Sequence, residues 1–277
     1  MTADPARRAA VLGSPIGHSL SPVLHRAAYE HLGLVGWTYE AYDVAEPGLA
    51  GFLARLDPSW VGLSLTMPLK AAVLPLLDAA SPMVETVGAA NTVLLRDGKR
   101  VGENTDVPGM AAALAAHGVG PVDRAVVLGG GATARSALAA LSTLTDSVRA
   151  YVRDPARHQG LQSVAAATGV DLQVEPWARA AEGLGAPLVV STTPAGATDG
   201  LVARVPLTVG TLFEVLYDPW PSPLAAAWQA RRAAVVDGLD LLVHQAVLQV
   251  LLMTGTEAGP DDLVRVLRAA GERALRG

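Results

Sequence analysis

The stretch Ala125-Val126-Val127-Leu128-Gly129-Gly130-Gly131-Ala132-Thr133-Ala134 decides the fold. Four apolar residues predict a short buried strand, and the alanine-rich segment after the glycines predicts a helix from Thr133 to about Leu144. Glycines at such a junction permit a tight turn and a close approach of the backbone to a ligand. The spacing fits the G-x-G-x-x-G/A fingerprint, which predicts a dinucleotide-binding β-α unit. Its pyrophosphate contacts would come from Gly129, Gly130, Gly131, Ala132 and Thr133.

On both sides of this unit, short apolar runs alternate with longer segments of helical period. This alternation predicts an α/β fold with mainly parallel sheets. The predicted strands are 9–12, 37–44, 61–65, 125–128, 148–152, 172–174, 188–191 and 212–216. The predicted helices are 21–34, with Ser21 as N-cap, then 49–56, 68–77, 104–117 and 133–144, with two more after Gly238. Asp97-Gly98 predicts a hairpin turn between 92–95 and 100–101.

Composition excludes several classes of protein. Hydrophobic residues make up 51% and charged residues 17% of the 277-residue chain, which favours a folded globular protein, and this length suggests two domains. The net charge of −5 argues against a nucleic-acid partner. The chain has no cysteine, and its six histidines lack paired ligand spacing, so no metal is predicted. We expect a cytoplasmic protein without membrane contact, because the apolar run after Arg8 is too short for a signal peptide and 239–253 is broken by polar residues.

Four short motifs precede the glycine loop in a fixed order. They are Ser19-Leu20-Ser21-Pro22, Thr66-Met67-Pro68-Leu69-Lys70, Gly88-Ala89-Ala90-Asn91-Thr92 and Asn104-Thr105-Asp106. Together they supply hydroxyl groups, one amide, one lysine and one aspartate, which are the groups needed to hold a small polyhydroxylated acid beside a proton-transferring pair. Each residue taken alone is more simply a helix cap, a turn residue or a solvated side chain.

Lys70 breaks a local rule. It follows Pro68 in the first turn of a predicted helix, where the helix macrodipole disfavours a cation. We interpret a residue placed against its local electrostatics as an indication of function.

Taken as an ordered set, the motifs resemble the shikimate dehydrogenase family, over most of the chain. The resemblance implies a substrate-binding α/β domain formed by 1–103 and 238–277, to which the C-terminal helices return. It implies a Rossmann-type NADP-binding domain formed by 104–237. The implied reaction is the reversible reduction of 3-dehydroshikimate to shikimate in aromatic amino-acid biosynthesis.

The resemblance also implies a function for individual side chains. Lys70 and Asp106 would form the proton-transferring pair. The residues that would bind substrate are Ser19, Ser21, Thr66, Asn91, Asp106, Tyr217 and Gln245, with the two serines on the carboxylate. Val215 and Gly238 would approach the cofactor. Two positions depart from the family pattern, since Ser64 stands where Asn is usual and Glu214 where Asp is usual.

The choice of cofactor falls on Val152-Arg153-Asp154-Pro155-Ala156-Arg157, after the second strand of the nucleotide-binding unit. At this point an acid would bind the ribose hydroxyls of NAD, whereas an arginine would bind the 2′-phosphate of NADP. Arg153 and Arg157 match the NADP-binding pattern of the family, while Val152 and Asp154 depart from it. Two guanidinium groups favour NADP, and Asp154 keeps NAD or dual use open.

Other functions stay open at this point. A quinate/shikimate dehydrogenase that uses NAD is suggested by Asp154. A nucleotide-binding regulatory protein without catalysis is possible because a fold does not fix a function, although the presence of both Lys70 and Asp106 argues against it. A scaffold protein ranks last. The expected partner is a small-molecule substrate, and the chain is expected to be a monomer or a homodimer.

Overall fold

The computed structural model describes residues 6–155 and 158–276. Its strands are β1 (Arg7–Gly13), β2 (Trp37–Asp43), β3 (Trp60–Leu65), β4 (Ala79–Ala80), β5 (Thr92–Arg96), β6 (Lys99–Glu103), β7 (Ala125–Leu128), β8 (Ser147–Val152), β9 (Asp171–Pro176), β10 (Leu188–Ser191), β11 (Thr211–Glu214) and β12 (Val235–Val236). Its α-helices are α1 (Ser21–His31), α2 (Glu46–Leu53), α3 (Leu69–Ala72), α4 (Pro82–Val87), α5 (Asp106–Ala116), α6 (Ala132–Leu141), α7 (Gln159–Thr168), α8 (Pro223–Gln229), α9 (Gly238–Thr254) and α10 (Pro260–Leu275).

The chain forms two compact units. The first contains the residues up to Thr105 together with those from Leu242 onward, and the second runs from Asp106 to Leu241. Each unit is built on a six-stranded sheet, which confirms the α/β class. Within the described part of the chain, no helix combines the length and apolar character needed to cross a membrane.

The sheet of the first unit has the order β2-β1-β3-β5-β6-β4. Strands β1, β2 and β3 are parallel, and β5 runs antiparallel to both β3 and β6. Asp97 and Gly98 connect β5 to β6 with φ of 50° and 74°. Positive φ at both central residues is what a type I′ turn requires, so the predicted hairpin is confirmed.

The second sheet is parallel throughout, in the order β12-β11-β10-β7-β8-β9. Counted from β7, this is the Rossmann order 3-2-1-4-5-6. The order reverses between β7 and β10, and the Gly129-Gly130-Gly131 loop follows β7 at that point. Open α/β sheets bind their ligands at such a reversal.

Two predicted helices differ from the structure. The helix predicted over 68–77 is wrong, because α3 ends at Ala72 and a 3₁₀ turn spans Leu74–Leu76. Pro75 has no N–H group with which to continue an α-helix. The prediction of Ser21 as N-cap is also wrong, since Leu20 is the cap and Ser21 is the first helical residue. The helix then ends three residues earlier than predicted, just before Gly33 adopts a φ of 65°.

His25 is fully buried on the inner face of α1. Its ring stacks on Tyr39 with centroids 3.9 Å apart, and its Nδ1 lies 2.9 Å from the carbonyl oxygen of Ser21. Burial lowers the pKa of His25 from 6.5 to about 4, and the bond to Ser21 opposes this effect in part. The imidazole is therefore neutral in the folded protein at neutral pH.

Acidification is expected to destabilise the protein through His25. Between pH 6.5 and pH 4 the unfolded chain binds a proton at His25 that the folded chain does not, so stability falls as the pH falls. From pH 7 to pH 4.5, this group costs roughly 2 to 3 kcal/mol. Urea unfolding at both pH values should show a smaller pH dependence in His25→Phe than in the wild type. Equal pH dependence in the two proteins would contradict the assignment.

Candidate active site

One edge of the first sheet gathers residues that the sequence singled out. Thr66 directly follows β3, and Ser19 lies in the loop after the neighbouring parallel strand β1. Asn91 directly precedes β5, and because β5 is antiparallel to β3, its first residue lies at the edge where β3 ends. The backbone N–H of Leu65 donates to the carbonyl of Asn91 at 2.7 Å. Similarly, the N–H of Ala90 donates to the carbonyl of Lys70 at 2.8 Å, which fixes α3 beside Asn91.

The loops after β1 and β3 lie against each other at this edge. The N–H of Ser14 donates to the carbonyl of Met67 at 3.0 Å. A Cβ atom on Gly13 would lie 2.3 Å from Cγ2 of Thr66 and 2.9 Å from the carbonyl oxygen of Met67. Only glycine at position 13 therefore allows the two loops to approach so closely.

Asn91 is the centre of a buried polar cluster. Its Oδ1 accepts from the backbone N–H of Thr105 at 2.8 Å, and its Nδ2 donates to Oγ1 of Thr105 at 2.9 Å. Oε1 of Gln245 lies 3.4 Å from the same Nδ2. The side chains of Asn91, Thr105 and Gln245 are 2%, 3% and 6% exposed. Such buried groups hold one arrangement because leaving any of them unpaired is costly.

The two serines predicted to bind substrate lie next to each other. Oγ of Ser19 accepts from the N–H of Ser21 at 3.3 Å, and the side chain of Ser21 is buried. Ser19 therefore contributes to the start of α1, which is the function that the sequence assigned to Ser21.

Lys70 lies in the single helical turn of α3 and is half-buried. Because α3 has only four residues, it has no appreciable macrodipole, and the electrostatic reason first given for Lys70 is wrong. Asp106 is buried as the first residue of α5 and belongs to the second unit. Lys70 is thus positioned by contacts within the first unit, and Asp106 by its place in the second unit.

The loop after β7 fits the pyrophosphate of a dinucleotide. Gly129 has a φ of 121°, and a Cβ atom there would lie 2.5 Å from Oγ1 of Thr192. Gly131 has open space on the side where a Cβ would project, and it is the N-cap of α6 without a side-chain capping bond. Ala132 and Thr133 form the first turn of α6, whose N–H groups and macrodipole attract a phosphate.

The charged residues that would select the cofactor follow β8. Arg153 and Asp154 are both exposed, next to the loop after β7 because β7 and β8 are parallel neighbours. The N–H of Gly129 donates to the carbonyl of Tyr151 at 3.0 Å, which ties the end of β8 to the glycine loop. Arg157, the second predicted phosphate ligand, lies outside the described residues.

Val215 and Tyr217 lie in the segment 215–221, which connects β11 to α8. The buried Glu214 directly precedes this segment, and the hydroxyl of Ser222, which directly follows it, donates to Oε2 of Glu214. Ser222 also caps α8 by accepting from the N–H of Ala225 at 3.0 Å. Burial raises the pKa of Glu214. Glu214 thus closes the base of the segment that carries Val215 and Tyr217.

Gly238, predicted to approach the cofactor, begins α9 against the same segment. A Cβ atom on Gly238 would lie 2.2 Å from the carbonyl oxygen of Val215 and 2.5 Å from that of Leu216. Gly238 therefore permits a close contact between two backbone segments, whatever else it binds.

Replacing Gly238 by alanine is expected to destabilise the protein by about 1 to 3 kcal/mol, because two backbone carbonyls have to move. Urea unfolding would measure the loss. Gly200→Ala is the matched control in the same unit, because a Cβ atom there meets nothing within 4 Å. Equal stabilities of the two variants would show that the backbone next to Gly238 can move to accommodate a Cβ atom without loss of stability.

Sequence reasoning assigned no function to two residues that organise the site. Thr105 appears only within a motif, and Gln249 only among the polar residues that interrupt the apolar run 239–253. Gln249 lies one helical turn beyond Gln245 on α9, and this i,i+4 spacing was the available signal. Among the described residues, no group of three or more His, Asp or Glu side chains is placed to hold a metal ion.

Comparison with known proteins agrees with this arrangement. The profile of the shikimate dehydrogenase substrate binding domain matches residues 11–93. A shikimate dehydrogenase (NADP(+)) from Thermus thermophilus is 37% identical over 268 residues, covering 95% of this chain and 98% of the relative. The structure of Mycobacterium tuberculosis shikimate dehydrogenase has a TM-score of 0.85 and 36% identity, covering 95% and 99% of the two chains. A Thermus thermophilus shikimate 5-dehydrogenase, solved in complex with NADP(H) and shikimate, has a TM-score of 0.80 and 35% identity, covering 95% and 99%.

A Rossmann unit joined to a second α/β unit with hydroxyl, amide and lysine side chains at one sheet edge defines a class, the dinucleotide-dependent oxidoreductases. The similarity over nearly the whole length of both chains then specifies the family. The chain belongs to the shikimate dehydrogenase family.

Proposed function

We propose that this protein is an NADP-dependent shikimate dehydrogenase, which reversibly reduces 3-dehydroshikimate to shikimate. The observation that carries the proposal is the convergence of Ser19, Thr66, Lys70 and Asn91 at one sheet edge, with Gln245 hydrogen-bonded into it. Hydroxyl and amide groups on a rigid edge are suited to a small ligand rich in hydroxyl groups.

Ser19, Ser21, Thr66, Asn91, Tyr217 and Gln245 are proposed to bind the substrate. The serines hold its carboxylate, and the threonine and amides hold its ring hydroxyls. Each of these groups is neutral, so the substrate is oriented without burying an unpaired charge of the protein.

Lys70 and Asp106 are proposed as the proton-transferring pair. The Lys70 ammonium gives a proton to the carbonyl oxygen as that oxygen becomes a hydroxyl, and takes it back in the reverse direction. Asp106 accepts a hydrogen bond from a substrate hydroxyl and orients the ammonium, so the two groups act together on the substrate. NADPH, when bound, supplies the hydride that the carbonyl carbon receives.

The second unit is proposed to bind the cofactor. Gly129, Gly130, Gly131, Ala132 and Thr133 receive the pyrophosphate. Arg153 and Arg157 hold the 2′-phosphate, and Val215 and Gly238 lie beside the nicotinamide. Asp154 beside Arg153 favours a second candidate, a quinate/shikimate dehydrogenase that uses NAD.

A spectrophotometric assay tests the proposal. Purified protein is mixed with shikimate or quinate and with NADP or NAD, and the absorbance of the reduced nicotinamide is followed. The expected result is the highest kcat/KM with shikimate and NADP. A preference for quinate and NAD would establish the second candidate, and binding of NADP without turnover of either acid would indicate a regulatory protein.

A further inference from the structure

A line of buried hydrogen bonds crosses the first unit from Tyr39 to Asn91. The hydroxyl of Tyr39 donates to Oγ of Ser64 at 2.6 Å, and Oγ of Ser64 donates to Oε1 of Gln249 at 2.8 Å. Nε2 of Gln249 donates to Oγ1 of Thr92 at 2.9 Å, and Oγ1 of Thr92 donates to Oδ1 of Asn91 at 2.9 Å. All five side chains are at most 4% exposed.

The direction of this line is fixed by a group that can only accept. Nε2 of Gln249 also lies 3.3 Å from the backbone carbonyl oxygen of Asn91. A carbonyl oxygen has no hydrogen to donate, so the NH₂ group of Gln249 must face it and its Oε1 must face Ser64. Since the Thr92 hydroxyl accepts from Gln249, its own hydrogen is free to point at Asn91.

This direction decides what the Asn91 amide can offer to a ligand. Its Oδ1 receives the Thr92 hydroxyl at 2.9 Å and the backbone N–H of Thr105 at 2.8 Å. Two donors occupy the two lone pairs of an amide oxygen. Asn91 therefore has no acceptor left for a ligand. Its polar contact from Nδ2 to Oε1 of Gln245 is long, at 3.4 Å, and a substrate hydroxyl that replaces this contact is bound through its oxygen.

We propose that Gln249 is a positioning residue, which acts through Thr92 to keep Oδ1 of Asn91 occupied and so sets how the substrate hydroxyl is recognised. Ser64 and Tyr39 hold Gln249 in this orientation. The amide that α9 contributes through Gln249 thus faces the short hydroxyl of Ser64. The inference deepens the proposed function and rests on it.

Two nearly isosteric variants test the proposal. Gln249→Met removes both hydrogen-bonding groups of the side chain, and Thr92→Val removes only the hydroxyl between Gln249 and Asn91. Each variant is expected to raise KM for shikimate about 3- to 10-fold, the effect of losing one oriented hydrogen bond. KM for NADP is expected to stay unchanged. In the double variant, KM for shikimate should be no higher than in the single variant with the larger increase, because both changes interrupt the same line.

Thr254→Val is the matched control on α9. It removes a hydrogen bond from Oγ1 of Thr254 to the carbonyl of Val250, at 2.8 Å, on the same helix but outside the line. It should leave KM for shikimate unchanged. If Gln249 only stabilised the fold, its loss would lower the active fraction, and thus kcat, at unchanged KM.

The outcomes separate this inference from the proposed function. An active wild type with unchanged KM in Thr92→Val overturns the positioning inference alone, even if Gln249→Met fails to fold. Effects of the two changes that multiply in the double variant would also overturn it. A wild type inactive on shikimate with both cofactors overturns the proposed function and this inference together.

Discussion

Replacing Lys70 by alanine is expected to lower kcat for shikimate oxidation by about 10²- to 10⁴-fold while KM changes little. The reason is that a proton-transferring group acts on the transition state more than on substrate binding. Steady-state kinetics with saturating NADP would measure the change. Lys99→Ala is the natural control, because Lys99 is the only other lysine in the sequence and lies exposed at the hairpin. An unchanged kcat in Lys70→Ala would remove Lys70 from the mechanism.

Asp106→Asn extends this test, because it keeps the size of the side chain and removes its charge. The variant should also lose kcat, and the double variant should lose far less than the product of the two single losses if the pair works as a unit. Multiplying losses would instead show that Lys70 and Asp106 act independently.

The second large effect concerns the cofactor. Arg153→Ala should weaken kcat/KM for NADP by about 10- to 150-fold, or roughly 1.5 to 3 kcal/mol, because it removes a charge-assisted contact with the 2′-phosphate. The loss should be specific to NADP, since NAD has no phosphate at that position. Asp154→Ser should raise kcat/KM for NADP, because it removes a negative charge near the 2′-phosphate.

Kinetics with both cofactors decide between Arg153 and Asp154. Arg124→Ala is a control in the same unit, since Arg124 is exposed at the opposite, amino end of β7. Equal losses for NAD and NADP in Arg153→Ala would show that this arginine does not read the phosphate. If the wild type prefers NAD, and Asp154→Ser abolishes that preference, Asp154 would be assigned to the ribose hydroxyls of NAD.

Strong local signals made much of the fold predictable. The apolar run 125–128, the three glycines and the Asp97-Gly98 turn each have a local physical cause, and all three appear in the structure as expected. Elements with weak patterns were missed, among them β4, β12 and α8. The two-residue strands are too short to show a period, and only their neighbours in the sheet define them.

The motifs of the candidate site could be predicted from the sequence, but the residues that hold them in place through hydrogen bonds could not. Ser19, Thr66 and Asn91 were found from motifs, and the sheet brings their loops to one edge. The function of Thr105 and Gln249 depends on partners 14 and 157 residues away in the sequence. No local pattern carries that information, because these hydrogen bonds exist only once distant segments have packed together.

The first unit is made of two chain segments, and the whole second unit lies between them in the sequence. This arrangement affects how the protein folds during its synthesis on the ribosome. When the ribosome has completed β3 and β5, Ser64 and Thr92 still lack Gln249, and Arg96 lacks the carbonyl of Leu252. The sheet of the first unit therefore cannot complete its hydrogen bonds until α9 has been synthesised. The continuous segment from Asp106 to Leu241, in contrast, can fold as it emerges. A truncation before α9 is expected to leave a folded dinucleotide-binding unit attached to an incomplete partner, which makes the carboxyl-terminal helices the last step in the maturation of the enzyme.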